Sequence, residues 1–361
     1  MGLGKVELHL HLDGSLDLPT AYRLAKERNV INDDMDFDAF KAKMMVPSNN
    51  PSLEECLKCF DFPIAIMQDK EALSECYYSL VKNLNDEGII YAEIRFAPQV
   101  HCQKGLTQDE VIEAVIDGRN RALKDFPDIL TNIICCCMTY GDAKINEEAN
   151  MQTIRSARKY LGKGVVAADI AGAEGLCHNT DFKPVFDLAK EIGLPFTMHA
   201  GENAPAYFVT NAMDMGASRI GHGVHATRDP KVVQRVVESQ IPLEVCITSN
   251  IQCCCEPSYE KHAIIELYKA GANVTINSDN MTLSRVDLNS EIDKALTLMG
   301  FTVEDINKMT RNAIKAAFIS DAEKEMLLAK LGAVMNKSIF RNQSLSVTAL
   351  FLSVVLHYIF F

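Results

Sequence analysis

The strongest constraint on the fold is a repeated alternation of short apolar runs with amphipathic segments. The runs are rich in β-branched residues and lie at residues 6–11, 89–96, 130–138, 165–171, 195–200, 219–222, 243–247 and 273–278. Segments with helical spacing follow the later runs, at residues 181–192, 229–239 and 259–270. Runs that are apolar on both faces are typical of parallel sheets, and eight parallel strands close a barrel of ~250 residues. We therefore predict an α/β fold of the (β/α)8 TIM-barrel type.

The length of the chain predicts an insertion in this barrel. The 361 residues exceed what a plain barrel needs, and the surplus is concentrated at residues 13–88, between the first two runs. We predict extra helices there that cover the C-terminal mouth as a lid on the pocket. An open doubly wound sheet is the weaker alternative, because no glycine-rich phosphate loop follows an early run. Without a linker or an internal repeat, residues 1–334 are expected to form one catalytic domain.

The end of the chain differs from the rest. Residues 345–361, LSVTALFLSVVLHYIFF, carry no formal charge and follow Lys337 and Arg341. Their number lies at the lower edge of the ~17–25 residues of a membrane-spanning helix. One interpretation is a C-terminal membrane anchor, and the other is a terminal extension, because a helix predicted at 321–331 already completes the barrel. The role of residues 335–361 stays open between the two.

Charge and cysteine usage exclude two classes of protein. Lys and Arg number 36 against 48 Asp and Glu, a net charge of −12, so the chain lacks the basic surface of a nucleic-acid binder. The twelve cysteines include the triplets 135–137 and 253–255, which suit a disulfide framework poorly. Cys56 and Cys59 form a single Cys-x-x-Cys motif, and we predict that they are core and surface thiols. Because no signal peptide precedes residue 15, we expect a cytoplasmic protein with free thiols.

Polar residues that can bind a metal stand at the ends of four runs. His9 and His11 are two apart on the first run, so their side chains leave the same face of the strand. His199, His222 and Asp279 end the fifth, sixth and eighth runs. Since the carboxyl ends of barrel strands share one rim, these groups would form a nitrogen-and-oxygen set suited to catalytic Zn²⁺ with an open coordination position.

Seven motifs together resemble one known family. VELHLHLDGS, RFAPQ, DIAGAE, MHAGE, RIGHG, EVCITSN and INSDN occur in the order found in adenosine deaminases of the bacterial type. The resemblance extends from about Lys5 to about Leu331. His-x-His alone would indicate only the wider amidohydrolase class, whereas HLDG with HAGE, GHG and SDN is specific to purine deaminases.

The resemblance implies a role for each site residue. One zinc ion per chain would be held by His9, His11, His199 and Asp279. Glu202, as a protonated acid, would deliver a proton to purine N1, and His222 and Asp279 would take the proton of the attacking water. The implied reaction converts adenosine and 2′-deoxyadenosine to inosine and 2′-deoxyinosine with release of ammonia, a step of purine salvage.

Substrate contacts are implied in the same way. Asp13 would accept the ribose 5′-hydroxyl, and its charge would disfavour AMP. The backbone N–H of Gly172 would reach purine N3, and His11 would also face the substrate. Asn280 stands where animal enzymes have a second Asp that donates to N7. An Asp must be protonated to donate, whereas the NH₂ group of Asn donates in its ordinary state.

Three alternatives remain from the sequence. An adenine deaminase on the same scaffold is the nearest, although that group tends to have Glu where this chain has Asp13. A metal-dependent amide or ester hydrolase is disfavoured by HAGE. The tail suggests a membrane-tethered relative without activity, which should have lost part of the site. The other histidines, His101, His178, His225, His262 and His357, are predicted to be surface or packing residues, and the oligomeric state is not predicted.

Overall fold

Eight parallel strands pass through the centre of residues 4–333, which the computed structural model describes. They are β1 (Lys5–His11), β2 (Ile89–Phe96), β3 (Leu130–Thr139), β4 (Val165–Gly172), β5 (Thr197–Ala200), β6 (Arg219–His222), β7 (Leu243–Val245) and β8 (Val274–Ile276). Each predicted run coincides with one strand. β6 has the bounds of its run, whereas β5, β7 and β8 are two or three residues shorter than theirs.

The strands pair in chain order, as a barrel requires. β1 to β4 form one four-stranded sheet and β5 to β8 a second. Parallel bridges between Ala168 and Phe196, and between Leu10 and Asp279, connect the two sheets at both edges. At the second junction the backbone N–H of His11 donates to the carbonyl of Asp279 at 2.7 Å. This arrangement confirms the predicted barrel fold.

Helices connect the strands and pack outside them. They are α1 (Leu18–Glu27), α2 (Phe37–Lys43), α3 (Leu53–Lys58), α4 (Asp61–Ile66), α5 (Lys70–Asp86), α6 (Gln108–Asp125), α7 (Glu147–Lys159), α8 (Lys183–Glu191), α9 (Tyr207–Met215), α10 (Pro230–Ser239), α11 (Ile247–Gln252), α12 (Ala263–Ala270), α13 (Met281–Ser284), α14 (Leu288–Leu298) and α15 (Val303–Ala316). Short 3-10 turns lie at Pro98–His101, Asn179–Phe182 and Val224–Arg228, and residues 321–333 are also helical.

Local signals in the sequence define where these helices begin. The side chain of Thr107 accepts from the backbone N–H of Glu110, whose carboxylate accepts from Thr107 in return, so α6 starts with a capping box. Proline occupies the first turn of α1, α8 and α10, where its missing N–H leaves no hydrogen bond unmade. α10 turns Val232 and Val236 inward and exposes its charged side. The helices thus bury one apolar face against the barrel.

The predicted insertion is present as helices α1 to α5, between β1 and β2. Residues of α3 and α4, from Leu53 to Ile64, line a pocket at the barrel mouth. The insertion therefore forms one wall of the pocket, as its length predicted. No helix within residues 4–333 is both long enough and apolar enough to cross a membrane. The apolar tail lies outside the described residues.

Candidate active site

The predicted metal ligands meet at the C-terminal rim of the barrel. His9 and His11 lie on β1, His199 on β5, and Asp279 three residues beyond β8. The His11 Nε2 atom is 3.3 Å from His199 Nε2 and 3.5 Å from Asp279 Oδ1. His9 Nε2 is 3.6 Å from the same Asp279 oxygen. The structure thus brings all four together, although they are as much as 270 residues apart in the chain.

Two overlapping groups of ligand atoms share His9. One consists of His9, His11 and His199, and the other of His9, His222, Cys246 and Asp279, with the ligand atoms of each group within 4.8 Å of one another. Cys246 was not predicted as a neighbour of the site. Its S–H donates to the backbone carbonyl of Glu244 at 3.5 Å, so this thiol is already engaged. The remaining imidazole and carboxylate donors are the kind that a catalytic divalent metal prefers.

Carboxylates behind the histidines fix the ring orientations. His9 Nδ1 lies 2.8 Å from Glu244 Oε2, and His199 Nδ1 lies 2.9 Å from Asp169 Oδ2. A ring that donates its Nδ1–H to a carboxylate presents the lone pair of Nε2 on the other side, as metal-bound histidines do. The Nε2 atom of His9 is buried and has no hydrogen-bond partner among the described residues, as expected for a ligand atom. The residues therefore fit a metal ion.

The two carboxylates belong to a charged network inside the barrel. Arg95 contacts Asp169 at 2.6 Å and Glu244 at 2.7 Å. Arg219 contacts the other Glu244 oxygen and Glu93, each at 2.5 Å. All five side chains are buried. No motif in the sequence indicated that these charges pair, because the five residues are spread over four strands, β2, β4, β6 and β7.

The backbone is strained at two of the site residues. His222 and Asp279 have φ of +60° and +62°, in the left-handed region that residues other than glycine rarely adopt. Such strain concentrates at functional sites, where it aims a side chain. The side-chain amide of Asn250 contacts His222 Nδ1 at 3.0 Å and holds the ring. The other ring nitrogen of His222, Nε2, lies 3.7 Å from Glu202 Oε2. Burial lowers the pKa of His222 well below its usual value, which favours the neutral ring.

Glu202 lies in a loop that a second carboxylate holds in place. Glu174 accepts the backbone N–H of Gly201, Glu202, Asn203 and Ala204 at 2.6–3.1 Å. Burial raises the pKa of Glu202 well above its usual value, and the neighbouring Asp279 and Glu174 charges add to the rise. This shift favours the protonated form of Glu202, a carboxylic acid. Glu174 closes the DIAGAE motif, but its role was not predicted.

These side chains line a cavity of about 670 Å³ at the barrel mouth, a size typical of pockets for small molecules. The predicted residues on its wall are His11, Asp13, Gly172, His199, Glu202, His222, Asp279 and Asn280. His9 lies deeper, behind the wall. The insertion supplies the opposite wall, largely apolar, through residues such as Leu57 and Phe60.

The predicted substrate contacts occupy separate parts of this wall. Burial raises the pKa of Asp13 to about 7, and its Oδ1 has no hydrogen-bond partner in residues 4–333. His101 Nε2 lies 3.9 Å from the other Asp13 oxygen, a neighbour that the sequence did not reveal. Gly172 has φ of +114°, and a Cβ there would lie 2.6 Å from the carbonyl oxygen of Thr139. Only glycine fits at that position.

Comparison with known proteins gives the family. The family model described as adenosine deaminase matches residues 4–334. The adenosine deaminase of Haemophilus ducreyi is 38% identical over 331 residues, which cover 91% of this chain and 95% of that protein. The adenosine deaminase of Clostridium perfringens is 36% identical over 328 residues, 91% of this chain and 97% of that protein.

A solved structure supports the fold. The adenine deaminase of Arthrobacter aurescens superposes with a TM-score of 0.83 at 24% identity, covering 92% of this chain and 99% of that one. At this identity the match shows the barrel fold alone. The family model and the curated relatives, in contrast, cover nearly the whole described chain. The chain belongs to the adenosine deaminase family of hydrolases, as its motifs predicted.

Proposed function

We propose that this protein hydrolyses adenosine and 2′-deoxyadenosine to inosine and 2′-deoxyinosine with release of ammonia. The observation that carries the proposal is a buried carboxylic acid, Glu202, beside a cluster of metal-binding side chains on one pocket wall. Replacement of the 6-amino group by water requires a proton at N1 and a base for the water. Glu202 supplies the first, and His222 and Asp279 supply the second.

Glu202 is suited to protonate the ring. Its raised pKa favours the form in which the carboxyl group keeps its proton. Donation to purine N1 makes C6 more electrophilic, so that the addition of water at C6, which breaks the aromaticity of the ring, becomes easier, a contribution of ~10²–10⁴ in rate for a well-placed general acid. The four N–H groups that hold Glu174 keep the loop, and hence the acid, in one position.

We propose Zn²⁺, one ion per chain, held by His9, His11, His199 and Asp279. When bound, zinc supplies the Lewis acidity that makes water a nucleophile near neutral pH. Asp279 and the neutral ring of His222 accept the proton of the attacking water and later give it to the departing amine. The second role of Asp279 agrees with its strained backbone, which aims the carboxylate into the cluster.

The remaining wall residues orient the substrate. The backbone N–H of Gly172 reaches purine N3, where a side chain would obstruct the approach. Asn280 donates to N7, His11 faces the substrate beside the metal, and Asp13 accepts the 5′-hydroxyl. The Asp13 carboxyl is buried and ionises at a pH of about 7, so above that pH a 5′-phosphate would bring negative charge against a buried carboxylate, and we expect AMP to be a poor substrate.

A parallel assay tests this function. Purified protein is mixed with adenosine, 2′-deoxyadenosine, adenine and AMP, and the ultraviolet absorbance of the purine is followed with and without a chelator. We expect turnover of both nucleosides, little of adenine or AMP, and loss of activity when the metal is removed. Faster turnover of adenine would assign the protein to the adenine deaminases instead.

A variant tests the assignment of the acid. Glu202→Gln keeps the shape of the side chain but has no proton to give, so kcat should fall by ~10²-fold or more while metal content stays unchanged. Glu256→Gln is the matched control, because burial also raises the pKa of Glu256 but this residue does not line the pocket. A Glu202→Gln variant with nearly full kcat would contradict the role.

We also propose that residues 1–334 form one catalytic domain and that the protein works in the cytoplasm on a small-molecule purine nucleoside. The match of the family model to residues 4–334 supports the first statement. The second is supported by the twelve cysteines, which are all free thiols, as in proteins of reducing compartments.

A further inference from the structure

Two cysteines from distant parts of the chain meet at the edge of the active-site pocket. Cys56 lies on α3 of the insertion, and Cys253 follows α11 at the barrel rim. Their sulfur atoms are 2.8 Å apart, and the residues are 197 positions apart in sequence. Both line the cavity, which gives a small reagent a route to them. From the sequence, Cys56 and Cys59 were predicted only as core and surface thiols; in the structure, Cys56 faces Cys253.

Hydrogen bonds already hold the two segments together. The Asn50 side chain donates to Cys56 Sγ at 3.1 Å and to the carbonyl of Gln252 at 2.9 Å. Asn50 therefore joins the residue before Cys253 to the sulfur of Cys56. The thiol of Cys254 adds a contact to the Asn50 carbonyl at 3.4 Å. This arrangement is present before any covalent bond forms, so a disulfide would need little movement of the backbone.

The surroundings distinguish the two sulfurs chemically. The Asn50 amide and the Cys253 thiol both donate to Cys56 Sγ. The hydrogen bond with Cys56 raises the pKa of Cys253, and burial adds to the rise. Cys56 is thus the better nucleophile of the pair, and Cys253 is placed to react second.

We propose that Cys56 and Cys253 are an oxidative modification site, where a small disulfide such as oxidised glutathione converts the two thiols reversibly to a disulfide that fastens α3 to the barrel rim. The Cys56 thiolate attacks one sulfur of the reagent, which forms a mixed disulfide and releases one thiol. Cys253, losing its proton, attacks the Cys56 sulfur and releases the second thiol. The two cysteines lose two electrons and two protons, and the reagent gains both.

The fastened helix forms part of the pocket wall. Leu53, Leu57 and Cys56 itself contribute to the lining from α3. This consequence rests on the proposed function, because it requires the substrate to occupy the pocket that α3 and the rim line together. A covalent bond there restricts the opening of the insertion, and pocket closure and opening set the turnover of many enzymes. The bond does not involve the metal ligands, which are imidazoles and a carboxylate.

The test compares the reduced and the oxidised protein. Wild-type protein is treated with oxidised glutathione, and the disulfide is located by peptide mass spectrometry without reduction. Metal content, hydrogen exchange of residues 44–66 and adenosine turnover are then measured. We expect a Cys56–Cys253 peptide, unchanged metal, slower exchange in the insertion and a fall in kcat/KM of about tenfold or more, reversed by a phosphine reductant.

Variants separate this site from the other thiols. Cys56→Ser and Cys253→Ser, each compared with its own untreated form, should form no internal disulfide and should show no slowing of exchange. Cys254→Ser is the matched control, because Cys254 is exposed, adjacent in sequence and outside the pocket lining, and it should respond like wild type.

The proposal is overturned if no Cys56–Cys253 peptide forms in wild type, or if it forms without change in hydrogen exchange or turnover. Absence of adenosine turnover in the reduced protein would contradict the proposed function instead. The peptide and exchange measurements would still test whether the Cys56–Cys253 disulfide forms and restricts the insertion, because neither measurement uses a substrate.

Discussion

Gly14→Ala should weaken substrate binding without touching a metal ligand. A Cβ at Gly14 would lie 1.9 Å from Asn280 Oδ1 and 2.7 Å from Asn280 Cγ. The backbone at Gly14 cannot retreat easily, because its carbonyl accepts the N–H groups of Thr282 at 3.0 Å and Leu283 at 3.1 Å. The flexible end of the Asn280 side chain must therefore swing away.

The expected size follows from the contact that is lost. If Asn280 donates to purine N7, its displacement removes one hydrogen bond, worth about 0.5–1.5 kcal/mol. This corresponds to a fall in kcat/KM of about 2- to 13-fold. A Cβ at Gly14 would also lie 2.9 Å from Asn280 Cβ, which the backbone fixes, so rotation of the amide relieves only part of the clash and the folding stability should fall by about 1–3 kcal/mol.

Initial rates with adenosine measure the fall in kcat/KM. The metal content of the purified variant shows whether the metal ligands are undisturbed. Gly332→Ala is the matched control, since a Cβ there meets nothing within 4 Å. Asn280→Ala completes a double-mutant cycle. In the Asn280→Ala background the obstructed amide is absent, so Gly14→Ala should lower kcat/KM much less than it does in wild type. Additive losses in the double variant, or an unchanged kcat/KM in Gly14→Ala, would refute this reasoning.

Three further predictions concern the metal, the barrel interior and the acid. His9→Ala should abolish stoichiometric metal binding, measured by elemental analysis, and a variant with full metal content would remove His9 from the ligand set. Arg219→Leu leaves two buried carboxylates short of a partner, so the free energy of unfolding should fall by ~3–5 kcal/mol in a denaturant titration. Arg235→Leu is the control: it breaks an exposed ion pair with Asp214 and should change the free energy of unfolding by less than ~1 kcal/mol. Because Glu202 acts in its protonated form and its pKa is raised, kcat should fall on the alkaline side, well above pH 4.5. A rate that keeps rising there would contradict an acid role.

The fold was predictable because its signal is local. A strand buried on both faces needs a run of apolar residues, and β1 to β4 follow their runs within one residue at either end. The error at β7 has a physical cause. The apolar run 243–247 continues past Val245, but Ile247 begins α11, and a short buried helix cannot be told from a strand by its composition.

The same difference between local and long-range signals separates the site residues that could be predicted from those that could not. His199, Glu202 and Asp279 were found because each stands at or just after the end of its strand. Arg95 and Glu244 were not, since they are 149 positions apart and no pattern in the sequence predicts their contact. The pairing arises only when the barrel closes. The same holds for Cys56 and Cys253, which no motif connects.

Glu244 has a consequence for how this protein can be changed. One of its oxygens contacts Arg95 and His9, and the other contacts Arg219. A buried ion pair can often be exchanged for apolar side chains with a gain in stability. Here that exchange would also release the imidazole of His9 from its orientation. Selection for a more stable barrel and selection for turnover therefore oppose each other at this residue, and attempts to stabilise the protein should begin on its outer helices.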